Sequence, residues 1–308
     1  VLRHFKDIDS HSPEVVLAVG YFDGVHQGHQ TVIQSASQRA AECGGRTWIL
    51  TFDPHPLKIL RPEMAPPLLT STAHKLDLFR SMEVEGCIVL PFTRELAAQE
   101  PEEFIKNLKA SVPSLQEIVV GNNWTFGHRA RGNPALLQKM AAELGFRATV
   151  VPPVVYKKAP ISSTRVRQNI TEGNLTDVQD MLGRPFSILG TVIPGKRFGR
   201  ELGFPTANID PHNEVHPPPG IYAVFAIVEG QRVGGAAFLG ASPETQETPS
   251  GAIVEVHLFD VSPDLYGKDL EVQFIEKIRE ERRFASPAEL SRQIGLDVEN
   301  ARQTLKNR

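Results

Sequence analysis

Two histidines three residues apart, His26 and His29, follow Gly24 where an apolar run gives way to a helical pattern. That spacing puts both imidazoles on one helical face near the helix N-terminus, where unpaired N–H groups and the helix dipole favour an anion. The pair sits in Gly20-Tyr21-Phe22-Asp23-Gly24-Val25-His26-Gln27-Gly28-His29. Gly20, Phe22, Asp23 and Gly28 shape a turn whose backbone donors, with both histidines, would receive a triphosphate. The chemistry this suits is adenylyl transfer, which needs charge stabilised on the α-phosphate and on departing pyrophosphate, with an acceptor phosphate held in line.

Two further segments fit an anion site. Ile161-Ser162-Ser163-Thr164-Arg165-Val166-Arg167 reads as a helix start. Ser163 and Thr164 offer hydroxyl and backbone donors, and the planar fork of Arg167 can clamp two phosphate oxygens. Thr51-Phe52-Asp53-Pro54-His55-Pro56 follows a strand pattern and falls at the carboxyl edge expected to hold ligands in an open α/β sheet. Asp53 and His55 there could orient a metal or phosphate, or shape a rigid turn. Asp23, Asp53 and His55 all stay open as metal ligands.

Positioning these loops requires a particular scaffold. Apolar runs at 15–19, 47–52, 86–90, 117–120 and 148–151 alternate with amphipathic segments at 28–43, 72–83, 101–110 and 133–144. Strands apolar on both faces and separated by helices predict a parallel sheet covered on each side, a Rossmann-like α/β domain, which with the loop residues above is expected to be a nucleotidyltransferase domain. Residues 161–183 predict helices capped by Ser162 or Ser163 and by Thr176 or Asp177, and Gly183-Arg184-Pro185 then breaks the chain. The expected domains are therefore 1–183 and 184–308. In the second, runs at 186–192, 221–227, 234–238, 253–259 and 270–275 with Gly/Pro punctuation predict a small antiparallel β-barrel. A C-terminal helix is expected from about Pro287, with Ser286 as its cap.

Composition narrows the class. At 308 residues, 41% hydrophobic and 22% charged, the chain is long enough for two cores. A net charge of −3 argues against nucleic acid or an acidic membrane as the main partner and favours small-molecule substrates. Cys43 and Cys87, each in an apolar stretch, read as buried free thiols suited to a reducing cytoplasm. Neither a signal-peptide run nor a membrane-spanning stretch is visible. Oligomeric state is left open between monomer and homo-oligomer.

Together these segments resemble the adenylyltransferase module of prokaryotic bifunctional riboflavin kinase/FAD synthetases. The likeness includes Val120-Gly121-Asn122-Asn123-Trp124-Thr125-Phe126-Gly127-His128-Arg129-Ala130-Arg131-Gly132, which looks like that family's flavin-side loop. Trp124 and Phe126 could flank an isoalloxazine ring and Asn123 hydrogen-bond it, or the two rings could lie buried under a turn. The resemblance implies that ATP and FMN give FAD and pyrophosphate, with Mg²⁺ and with Asp53 and His55 on the flavin side. No protein nucleophile is needed, because the acceptor phosphate is already anionic.

The second half resembles the family's riboflavin kinase module. In Gly195-Lys196-Arg197-Phe198-Gly199-Arg200-Glu201-Leu202-Gly203-Phe204-Pro205-Thr206-Ala207-Asn208, the likeness implies a glycine loop over ATP through Gly195, Lys196, Gly199 and Arg200. It also implies Mg²⁺ on the oxygens of Thr206 and Asn208, hard ligands suited to that ion. Glu255 aligns with the base that takes the riboflavin 5′-hydroxyl proton, and Arg279 with a flavin contact. One stretch departs: where the family carries Asn-Ile-Gly-Thr-Arg-Pro-Thr-Phe, this chain has Phe238-Leu239-Gly240-Ala241-Ser242-Pro243-Glu244-Thr245. The departure at 238–245 opens a narrower alternative, FMN adenylyl transfer alone beside a barrel of weak or no kinase activity. A flavin- or nucleotide-sensing protein without turnover, and transfer to another phosphate acceptor, are further alternatives.

Overall fold

A computed structural model describes residues 1–8, 14–82, 84–195, 199, 202–241, 252–261, 264–306 and 308. Lys196, Arg200, Ser242, Pro243, Glu244 and Thr245, all singled out in the sequence, lie outside the described residues. The chain packs as two compact units: Val1–Pro66 with Thr72–Ser162, and Pro67–Ser71 with Ser163–Arg308.

The first unit runs β1 (Val15–Val19), α1 (Gln27–Cys43), β2 (Arg46–Asp53), α2 (Pro56–Leu60), α3 (Thr72–Arg80), β3 (Gly86–Pro91), α4 (Arg94–Ala98), α5 (Pro101–Ser111), β4 (Leu115–Gly121), α6 (Pro134–Leu144) and β5 (Arg147–Val151), then a short hairpin, β6 (Val155–Tyr156) and β7 (Ala159–Pro160). The five long strands form a parallel sheet in the order β3-β2-β1-β4-β5, as the alternating pattern predicts. β1 is buried at every position. Its period of two sends Val15, Leu17 and Val19 into one core and Val16 and Ala18 into the other, so a single strand fastens both helical layers. Leu2 adds a parallel bridge outside β3 at Ile88.

Because β1 lies between β2 and β4, the chain reverses its winding there, and the loops leaving β1 and β4 face one crevice at the carboxyl edge. Those are the Gly20–His29 and Gly121–Gly132 loops. Cys87 is buried as expected but Cys43 only half so, and both are free.

The second unit runs α7 (Ser163–Thr171), α8 (Leu175–Leu182), β8 (Phe186–Ile193), β9 (Ala207–Pro211), β10 (Gly220–Val228), β11 (Gln231–Ala241), β12 (Ala252–Leu258), β13 (Asp269–Arg279) and α9 (Pro287–Leu305). Its six strands close an antiparallel barrel, β10-β11-β12-β9-β8-β13. Ala301 and Leu305 of α9 bury against Ala223, Ala236, Phe259 and Ile275 on the barrel wall. Ser286 caps α9 as predicted, its side chain accepting from the Glu289 N–H, with Pro287 at the first helical position.

Two boundaries differ from the sequence expectation. Packing does not divide at Gly183: α7 and α8 group with the barrel, because α8 buries Val178, Met181 and Leu182 and contacts β8 and β13. Gly183 instead closes α8 in the left-handed conformation, φ 70°. α8 also starts after Asn174, ahead of Thr176 and Asp177, because Leu175 is itself buried.

Candidate functional site

In the first unit the β1–α1 turn is held by its own side chains. Phe22 and Val25 take positive φ, 57° and 41°, flanking Gly24 at 80°. The ring of Phe22 turns inward, where it packs edge-on to Phe79 and to His29, with centroids 6.0 Å and 5.3 Å apart. A Cβ at Gly20 would lie 2.7 Å from that ring, so the glycine is required by the inward rotamer. Phe22 thus serves the expected ATP loop as a buried anchor for the turn, with its ring in the core.

His26 caps α1, its Nδ1 accepting from the His29 backbone N–H at 3.3 Å. Acceptance at Nδ1 leaves any proton of the neutral ring on Nε2. The two imidazoles stack with centroids 3.6 Å apart and planes 18° from parallel. Burial, then His26, then Lys75 push the His29 pKa well below the ordinary histidine value. His29 is therefore a neutral donor at pH 7, and its Nδ1 is buried with no hydrogen-bond partner. Gly28 fits tightly beside the His26 ring, a Cβ there lying 3.1 Å from it.

Lys75 of α3, absent from the sequence expectations, is 0% exposed. Its Nζ donates to the Tyr21 carbonyl at 3.1 Å and to the Thr51 hydroxyl at 3.5 Å, and Thr51 donates to the same carbonyl at 2.9 Å. The ammonium also sits 3.9 Å from the Tyr21 ring centroid, and the edge-on ring of His55 is 4.3 Å from Tyr21 on centroids. Burial lowers the Lys75 pKa to about 8, opposed by Asp23 and Asp53, whose negative charges raise it. Its signal in the sequence is the spacing to Phe79, four residues on, which sets both on the inner face of α3.

His55 caps α2, its Nδ1 accepting from Leu57 N–H at 3.1 Å, so the Asp53–Pro56 segment is at least the rigid turn the sequence allowed. Among the described residues no group of three or more His, Cys, Asp or Glu side chains comes together to hold a metal.

Trp124 and Phe126 do not form jaws around a ring. They stack on each other, centroids 4.4 Å apart and planes 17° from parallel, and Phe126 is buried against Phe104. The gap for a sandwiched flavin is filled by the partner ring, which leaves half-buried Trp124 as a single platform beside exposed Asn123. Ser163, Thr164 and Arg167 belong to α7 of the second unit, where Arg167 Nε donates to the Pro67 carbonyl at 2.7 Å. One edge of the expected phosphate clamp is thereby engaged.

In the second unit a cavity of about 480 Å³ is lined by Gly199, Thr206, Asn208, Phe238, Glu255 and Arg279 among others. Register explains the grouping: Glu255 of β12 stands opposite Asn208 of β9 on one side and Phe238 of β11 on the other. The expected base and an expected metal ligand are thus cross-strand neighbours. His257 hydrogen-bonds the Pro205 carbonyl through Nδ1 at 2.9 Å and so pins the turn that carries Thr206. Gly195 is needed for close approach, since a Cβ there would lie 2.2 Å from Asn208 Nδ2. The oxygens of Thr206 and Asn208 suit a hard divalent cation that draws its other ligands from phosphate and water.

Phe238 lines the cavity with its ring across Gly240, where a Cβ would lie 2.4 Å from it. Arg279 also reaches the cavity, but its guanidinium is committed to buried Asp297 by three hydrogen bonds of 2.6–3.1 Å and to the Glu280 carbonyl at 2.8 Å. It braces β13 against α9 more than it offers donors to a ligand.

Residues 8–165 match the family described as FAD synthetase, and residues 182–305 the family described as riboflavin kinase. The bifunctional riboflavin kinase/FMN adenylyltransferase of Escherichia coli (strain K12) is 36% identical over 289 residues, covering 94% of this chain and 92% of that protein. Its namesake in Bacillus subtilis (strain 168) is 34% identical over 297 residues, covering 95% and 93%. A crystal structure from Streptococcus pneumoniae, titled a macrolide-efflux protein, is similar at a TM-score of 0.81 and 29% identity, covering 98% of this chain and 97% of that one. No helix among the described residues is long and apolar enough to cross a membrane.

Proposed function

The chain belongs to the bifunctional riboflavin kinase/FMN adenylyltransferase family, and we propose that it performs both reactions of that name, each in its own module. In the barrel, ATP phosphorylates the riboflavin 5′-hydroxyl to give FMN and ADP. In the α/β module, the FMN phosphate attacks the α-phosphorus of ATP, forming FAD and expelling pyrophosphate. We place the functional division near 183/184, beyond the end of the FAD synthetase match at 165 and just inside the start of the riboflavin kinase match at 182.

For the kinase step, the Glu255 carboxylate takes the hydroxyl proton as the oxygen attacks the γ-phosphorus. Thr206 and Asn208 would hold Mg²⁺, which when bound neutralises charge on the phosphate oxygens. The observation that carries this reading is the direct cross-strand pairing of Glu255 with Asn208 in the cavity wall. It also disfavours the narrower alternative of adenylyl transfer alone, as does the riboflavin kinase match over 182–305.

For adenylyl transfer, His26 and His29 donate to phosphate oxygens at the start of α1, and the low pKa of His29 keeps it a neutral donor. Asp53, His55, Asn123 and Trp124 form the flavin side, with Trp124 as one stacking face. Substrates are small molecules, with neither nucleic acid nor membrane as partner, and the cytoplasm, where ATP is available, is the site of action.

The test supplies the full chain with riboflavin, ATP and Mg²⁺ and separates the flavins by chromatography. FMN followed by FAD is expected. FAD formed only from added FMN would reduce the function to adenylyl transfer, and failure to form either product would overturn the assignment.

A further inference from the structure

Lys75 is a charged group buried without an assigned task. Taking an ammonium out of water costs several kcal/mol unless fixed partners compensate, so its retention at 0% exposure needs a reason. Its partners are informative. One hydrogen bond ends on the Tyr21 carbonyl, at the entrance to the loop that carries His26 and His29. The other ends on Thr51, two residues before Asp53. The Tyr21 ring lies under the ammonium and touches His55 with its face or edge. The charged and titratable groups acting on Lys75 or acted on by it are Asp23, Asp53, Cys87 and His29.

We propose that Lys75 is a positioning residue for adenylyl transfer: its ammonium locks the loop after β1 to the turn after β2 and acts as the resident cation of Asp23 and Asp53. On this assignment a fixed ammonium offsets the two carboxylates, so that they do not repel incoming phosphates. It also fixes Tyr21 and His55 relative to the histidine pair, which sets the line along which the acceptor phosphate approaches. The proposal rests on the assignment of adenylyl transfer to the first module.

The experiment uses the full chain as wild type, Lys75→Met and Thr51→Val, with steady-state FAD formation from FMN and ATP measured beside riboflavin phosphorylation on the same preparations. Wild type must first form FAD; if it does not, the functional assignment fails before this one is reached. For Lys75→Met, kcat for FAD formation is expected to fall about 100-fold with KM for ATP and FMN within about threefold and phosphorylation unchanged. In wild type, FAD formation should decline above about pH 8 as Lys75 loses its proton, a limb absent from the kinase profile and from the residual rate of the variant. A kcat within about threefold of wild type, or a loss confined to KM, overturns the proposal. Should Lys75→Met not fold, Thr51→Val removes one partner while keeping side-chain shape; a fall in kcat of about tenfold supports the lock, and an unchanged kcat refutes it.

Discussion

Replacing Lys75 with methionine is expected to stabilise the first unit at neutral pH while impairing its chemistry. Burial holds the ammonium at a pKa of about 8, against 10.5 for an ordinary lysine. That gap of about 2.5 units, at about 1.36 kcal/mol each, amounts to roughly 3 kcal/mol. The sign follows from proton binding: the unfolded chain holds this proton more tightly, so the folded state is penalised in full below about pH 8 and the penalty fades as pH rises toward 10.5. Methionine carries no charge and fills similar volume, so it escapes the penalty. It also forfeits the hydrogen bonds to Tyr21 and Thr51, at about 1 kcal/mol, leaving a net gain of about 2 kcal/mol at pH 7. Both tryptophans, Trp48 and Trp124, lie in the first unit, so their fluorescence during urea unfolding reads that unit alone. With a urea slope of about 2 kcal/mol per molar, the midpoint should rise by about 1 M at pH 7 and the advantage should shrink by pH 10. An unchanged or lower midpoint at pH 7, or a gain that does not vary with pH, would refute the reasoning. A more stable but less active variant would mark the lysine as retained for function at a cost in stability.

His29→Ala should lower FAD formation by about 100-fold or more while sparing riboflavin phosphorylation, and Glu255→Gln should do the reverse. Equal loss of both activities in either well-folded variant would contradict separate sites. Gly195→Ala should displace the Asn208 amide, because the new Cβ would lie 2.2 Å from it, and lower kinase kcat by about 100-fold while leaving adenylyl transfer intact. A Mg²⁺ titration of kinase activity identical to wild type would show that Asn208 had not moved or does not matter.

Much of this architecture was legible because its signals are local. Val15–Val19 is apolar at every position, which only a strand covered on both faces can use, and the glycine turn and paired histidines after it mark where that strand delivers the chain. Ser286-Pro287 announces the last helix by cap chemistry alone. What stayed hidden depends on partners distant in sequence. β9 (Ala207–Pro211) was read only for its ligands: Asn208 interrupts the apolar alternation, and its place opposite Glu255 is a matter of barrel register. Lys75 looks like a surface residue by type; its spacing to Phe79 is the one local hint, and the packing of α3 under Tyr21 shows what the ammonium meets. Trp124 and Phe126 are spaced so that either jaws or a stack would fit, and the buried contact of Phe126 with Phe104 decides for the stack. Gly183 ends a helix, but where a helix ends says nothing of which core it joins.

Closure of the barrel limits how copies of this chain could join. A ring of six strands exposes no row of unpaired backbone donors and acceptors, so strand addition has nothing to extend there. In the five-stranded sheet, Leu2 already occupies part of the outer side of β3, exchanging hydrogen bonds with Cys87 and Val89. Among the described residues of the two larger sheets, the outer side of β5 is then the remaining free rim, and Arg147 at its first position discourages a neutral strand from docking. Among the described residues of these two sheets, continuous main-chain pairing between copies is therefore confined to the outer side of β5.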